Sequence, residues 1–139
     1  TVIITDRDGE GAEKVAADIR AAGMDLVFLL APTSTAQRVD AIAKLATGYI
    51  YYVSLRGVTG AATLDTAEVL ERVREIRSKT GLPVGVGFGI RDAATAQAVG
   101  KVADAVVIGS RIIQLLESAP VGQEAAAVAD FLAGVKKVL

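Results

Sequence analysis

The chain has 139 residues, enough for one domain with its own core, and 52% of them are hydrophobic but only 4% aromatic. That is the make-up of a Val-, Ile- and Leu-built parallel sheet under helices rather than of an aromatic-rich β-sandwich. Fifteen basic residues against 16 acidic ones, spread along the chain for a net charge of −1, argue against nucleic acid or an anionic membrane as partner, and the absence of Cys and His excludes disulfides, thiolate nucleophiles, imidazole metal ligands and His bases.

Taken in order, Thr1–Thr5 (TVIIT) reads as a buried strand. A chain that opens inside a strand suggests a truncated or engineered protein. Asp6-Arg7-Asp8-Gly9 is a turn, and Glu10–Ala22 is helical, with Val15, Ile19 and Ala22 on its inner face and Gly23 as its stop. Leu26–Leu30 is a second strand; Thr35 or Ser34 caps a helix that buries Val39, Ile42, Ala43 and Ala46 and ends at Gly48. Tyr49–Ser54 is a third strand, followed by a glycine-bearing loop over Leu55–Leu64. Asp65 with Glu68 has capping-box spacing for a helix whose inner stripe is Val69, Val73 and Ile76. Pro83–Val86 is a fourth strand, Asp92 caps a short helix over Ala93–Val102, and Ala105–Ile108 is a fifth strand. Helices over Arg111–Glu117 and about Gln123–Leu139 follow, the last turning Val128, Phe131, Leu132, Val135 and Val138 inward.

Five βα units in strict alternation predict a parallel sheet with right-handed crossovers in a single α/β domain, residues 1–139. Two architectures accommodate them: an open three-layer α/β/α sheet, as in flavodoxin-like and Rossmann-like folds, or part of a (βα)8 barrel. Eight strands are needed for such a barrel to fill its interior, so the open three-layer sheet is the expectation for a chain of five. No apolar run approaches a bilayer span and no signal peptide opens the chain, so the cytoplasm is the expected location.

The fourth and fifth strands stop at small-residue turns, Gly87-Phe88-Gly89 and Gly109-Ser110. Strand tips that lead into helix starts point backbone N–H groups outward at the positive end of the helix dipole, which holds an anion without a basic side chain. Two such tips on neighbouring strands would share one phosphate or sulfate ion, or the phosphate of a sugar phosphate. Each feature also has a plainer reading. The glycines allow close packing or φ > 0, Ser110 caps a helix, and core packing claims at least two of Tyr49, Tyr51 and Tyr52.

FLLAPTST at Phe28–Thr35, GYIYYVSLRGVTG at Gly48–Gly60, VGVGFGI at Val84–Ile90 and DAVVIGSRI at Asp104–Ile112 stand in the order and spacing of one family. Residues 23–139 resemble the C-terminal half of the tryptophan synthase α subunit, a (βα)8-barrel lyase that cleaves indole-3-glycerol phosphate to indole and glyceraldehyde 3-phosphate. Residues 1–22 resemble instead the second strand and following helix of short-chain dehydrogenases, which makes a chimera the expectation. In those Rossmann folds an acidic residue at the position of Asp6 contacts a nucleotide ribose, so Asp6 is a weak cofactor-binding candidate. The glycine-rich fingerprint that would precede it is missing.

The resemblance implies phosphate-contacting turns at Gly60, Gly89, Gly109 and Ser110, an active-site tyrosine at Tyr51, and an apolar ring pocket at Leu29 and Phe88. It places the acid-base carboxylates of the reaction in the first half of the barrel, so no catalytic residue is assigned here, and no cofactor or metal is expected. The leading expectation is an engineered or truncated scaffold, catalytically incomplete, with a weak phosphate or sulfate site. The alternatives are the lyase activity itself, residual or on complementation, and an NAD-type dinucleotide module. Exposed sheet edges make a homodimer possible. Docking of the family's pyridoxal-phosphate β subunit is not expected, because its loops belong mostly to the other half.

Overall fold

The computed structural model describes residues 2–4, 9–54, 66–87 and 89–139, with backbone alone for residues 2–4, 9–12 and 66. Strands β1 (Val2–Ile4), β2 (Leu26–Leu30), β3 (Ile50–Val53), β4 (Val84–Gly87) and β5 (Ala105–Val107) alternate with helices α1 (Gly9–Ala21), α2 (Ala36–Leu45), α3 (Thr66–Thr80) and α4 (Ala93–Gly100). Helices α5 (Ser110–Ser118) and α6 (Glu124–Lys136) close the order. Among the described residues the strands form one sheet in the sequence β1-β2-β3-β4-β5, every neighbouring pair parallel.

That order corrects the expected open three-layer sheet. A doubly wound sheet needs a point where the strand order reverses, so that helices fall on both faces. Here the order never reverses, and right-handed crossovers between successive neighbours put α1 to α4 on the same side. Burial follows suit. Phe28, Leu30, Ile50, Tyr52, Val84 and Val86 share one face and join the core with Ile19 of α1, Val39 of α2, Val73 of α3 and Val99 of α4. On the opposite face Val27 is buried but stands outside that core, Leu29, Tyr51 and Val53 are half-buried, and Ala105 is exposed. A one-sided parallel sheet is the arrangement of part of a (βα)8 barrel.

The helices form where local chemistry starts and stops them. Thr35 caps α2 by accepting from the Arg38 N–H at 3.2 Å, while the Ser34 hydroxyl accepts from the Ala31 N–H at 2.9 Å. Asp92 caps α4, accepting from the Thr95 N–H at 2.7 Å. Gly23 ends α1 at φ +68°, and the Met24 N–H reaches back to the Ile19 carbonyl. The expected cap at Asp65 lies outside the described residues. On α3 the stripe Val69, Val73 and Ile76 is buried as its spacing requires. On α1 the buried pair is Ala16 and Ile19, whereas Val15 is 44% exposed and Ala22 is exposed. On α6 Val135 is buried but Leu132 is exposed.

The N-terminal end of the sheet is tied by Asp104. Its carboxylate accepts from the Val84 N–H at 2.8 Å and from Arg77 of α3 at 2.6 Å. The bond from the Val84 N–H, helped by the Arg77 guanidinium and opposed by partial burial, holds the Asp104 carboxyl below the ordinary aspartate range.

Candidate phosphate-binding edge

In a parallel sheet of this kind, ligands gather at the C-terminal ends of the strands. Gly87 of β4 pairs with Val107 of β5, so Gly89 and Gly109, each two residues further on, stand beyond the ends of adjacent strands. Neighbouring strands lie about 4.8 Å apart. Gly89 has φ +79°, which makes its glycine a requirement of the turn. Gly109 is the N-cap of α5 with no side-chain cap bond, and its carbonyl accepts from the N–H groups of Ile112 and Ile113. Ser110 is the first residue of α5 rather than its cap, and both it and Gly109 are exposed. An uncapped helix start leaves outward N–H groups with a partial positive charge, the chemistry an anion takes.

The wall beside this edge is built from tyrosine on glycine. Tyr51 pairs with Leu29 on one side and Gly85 on the other, on the face away from the helices. Its ring leans diagonally onto Gly87: a Cβ there would stand 2.5 Å from the Tyr51 hydroxyl oxygen and 2.6 Å from a ring carbon. Tyr49 lies over Gly85 in the same way, at 3.3 Å from a would-be Cβ. The VGVG spacing of β4 thus supplies valines to the core and bare backbone to two aromatic rings. Burial, with the neighbouring Tyr49 adding to it, raises the Tyr51 hydroxyl pKa, so at neutral pH it remains a protonated donor. Tyr52 points the other way and is 1% exposed.

Ser54 closes the corner between β3 and β4. Both its N–H, at 3.0 Å, and its hydroxyl, at 3.1 Å, donate to the Gly87 carbonyl. This anchor went unread in the sequence, where only its place at a strand end marks it. Arg111, next to Ser110 at the start of α5, lies over the Phe131 ring of α6 at 5.9 Å. Gly60, Phe88 and Asp6 lie outside the described residues. The structure therefore sets Gly89, Gly109 and Ser110 beyond the ends of β4 and β5, and pairs Tyr51 with Leu29 further back on β3 and β2.

Comparison with known proteins places this geometry in a lineage. The family model described as tryptophan synthase alpha chain matches residues 1–138. The tryptophan synthase alpha chains of Acidovorax ebreus and Ralstonia nicotianae are each 59% identical over 138 residues, covering 99% of this chain and 51% and 52% of theirs. The crystal structure of tryptophan synthase subunit alpha from Legionella pneumophila superposes with a TM-score of 0.80 at 27% identity, over 98% of this chain and 50% of that one. The chain thus spans about half the length of the curated relatives it matches.

Two expectations are corrected by these matches. Because the similarity runs from the first residues, the N-terminal βα unit needs no dehydrogenase ancestor: the chimera and the dinucleotide module resting on Asp6 have no support. Identity this high over 99% of the chain likewise overturns the reading of an engineered scaffold. This chain belongs to the tryptophan synthase alpha chain family.

Proposed function

We propose that the chain forms the phosphate-holding side of a lyase site that cleaves indole-3-glycerol phosphate to indole and glyceraldehyde 3-phosphate. The observation that carries this reading is the placement of Gly89 and Gly109 at matched ends of two paired strands, in a chain 59% identical to tryptophan synthase alpha chains. The backbone N–H groups around Gly89, Gly109 and Ser110 would take the phosphate, with Gly60 from the preceding loop. Tyr51, Leu29 and Phe88 would wall the aromatic ring. The retro-aldol step needs a carboxylate pair that protonates one indole carbon and holds the indole N–H. By family resemblance that pair comes from the half of the relatives that these residues do not match.

Inorganic phosphate tests the binding half of the proposal. Titrated into ¹⁵N-labelled chain, it should shift the amides of Gly89, Gly109 and Ser110 with a dissociation constant of about 1 mM or weaker, since this chain supplies only part of the ligand's enclosure. Unmoved amides at all three would refute it. Release of indole from indole-3-glycerol phosphate, in the presence of the other half of a relative, tests the chemical half.

A further inference from the structure

The last rung between β3 and β4 carries one more donor than a ladder requires. The Gly87 carbonyl accepts from the Ser54 N–H at 3.0 Å and from the Ser54 hydroxyl at 3.1 Å. Any residue but proline at position 54 would make the first bond; the second needs a short hydroxyl side chain. Its target is the residue of β4 with the least means of holding itself. Glycine ranges widely in φ and ψ, and the Tyr51 ring bars a stiffer residue, since a Cβ at position 87 would stand 2.5 Å from the tyrosine oxygen. Gly89, at φ +79°, follows two residues on. A turn so rich in glycine loses conformational freedom when it closes on an anion, unless something orders it beforehand.

We infer that Ser54 is a positioning residue for the anion site, fixing the exit of β4 so that the Gly89 amide is aimed before the ligand arrives. The inference rests on the phosphate reading of this edge. A peptide unit is planar, so pinning the Gly87 carbonyl with two donors sets the plane of the unit that leaves the strand. The course of the chain toward Gly89 starts from that plane. Ser54 acts through Gly87 alone: its one hydroxyl hydrogen is committed to the carbonyl, which leaves none to donate to a phosphate oxygen. Gly109 is ordered separately, its carbonyl held by the Ile112 and Ile113 N–H groups of α5. The two sides of the site should therefore respond differently to loss of the hydroxyl.

Inorganic phosphate titrated into ¹⁵N-labelled parent, Ser54→Ala and Ser54→Thr chains provides the test. Ser54→Ala should raise the phosphate dissociation constant by about three- to tenfold, the worth of one hydrogen bond. It should also shrink the saturating shift of the Gly89 amide more than those of Gly109 and Ser110. Ser54→Thr keeps the hydroxyl and should bind within about twofold of the parent. Thr35→Ala, which removes the cap of α2 away from the β4 and β5 tips, should lower the melting temperature yet also bind within about twofold of the parent. A Ser54→Ala with a lower melting temperature but unchanged phosphate affinity and Gly89 shift has lost only a structural bond, which overturns the inference. So does a Ser54→Thr that binds as weakly as Ser54→Ala, or a Ser54→Ala that circular dichroism shows to be unfolded. A parent chain whose amides ignore phosphate refutes the phosphate reading and this inference with it, whereas a binding parent matched by Ser54→Ala refutes this inference alone.

Discussion

At the scale of single residues, the contact between Tyr51 and Gly87 is the one with the least slack. A methyl group at position 87 would sit 2.5 Å from the tyrosine hydroxyl, so Gly87→Ala must push the ring off β4. Overpacking of this kind costs about 1–3 kcal/mol. Thermal unfolding should register that loss, and the displaced ring should change the near-ultraviolet dichroism. Tyr51→Phe in the same background removes the closest atom and should recover part of the stability. Asp104 governs a different response. Its folded-state pKa is lowered, so the stabilisation is complete well above the ordinary aspartate value of 3.8 and is lost as pH falls through the depressed one. In Asp104→Asn the amide oxygen can still accept from Val84, but the charge facing Arg77 is gone. The variant should lose less than about 1 kcal/mol at neutral pH, as expected for a partly exposed pair. Its acid unfolding curve between pH 4 and about 2 should be flatter than that of the parent.

At the scale of elements, what lay close together along the chain was readable before folding. The three-to-four-residue rhythm of Val69, Val73 and Ile76 marked the buried stripe of α3, and Asp92 with Thr95 marked the start of α4. Removing that cap by Asp92→Ala should cost about 1 kcal/mol, which in a domain of this size lowers the melting temperature by about 3 °C. The acidic side chain is itself held in its charged form, chiefly by the Thr95 N–H, so Asp92→Asn should retain most of the capping bond. The reading of α1 failed for an instructive reason. Val15 outweighs Ala16 in hydrophobicity, yet the helix turns Ala16 to the sheet and leaves Val15 at 44% exposure. A small side chain permits close approach of helix to strand, and that preference has no signature in periodicity alone. The tyrosine-on-glycine wall was equally hidden, since its partners are more than 30 positions apart and meet only through the register of β3 with β4.

For the whole molecule, strand order was the missing quantity. Alternating βα units specify parallel strands and handed crossovers, but not whether a later strand crosses back past β1 or continues outward. Length favoured the self-sufficient three-layer answer; the consecutive order β1 to β5 and the one-sided core replace it with a sheet that has a well-sealed centre and a half-open flank. Such a sheet should not unfold as a uniform body. Ile50, Tyr52, Val84 and Val86 are at most 1% exposed and sit on β3 and β4, two of the three strands paired on both sides. β5 is paired on one side only, and its residues range from half-buried to exposed. Opening free energies follow buried contact and backbone protection. Native-state hydrogen exchange should therefore rank the amides of β3 and β4 slowest, at the global unfolding free energy, with those of Val106 and Val107 faster by about 2 kcal/mol or more. A doubly wound sheet would also leave β5 at an edge but would cover it with helices on both faces, which would narrow that gap. Equal exchange across β4 and β5 in the isolated chain would thus contradict the half-open flank that the burial of β5 describes.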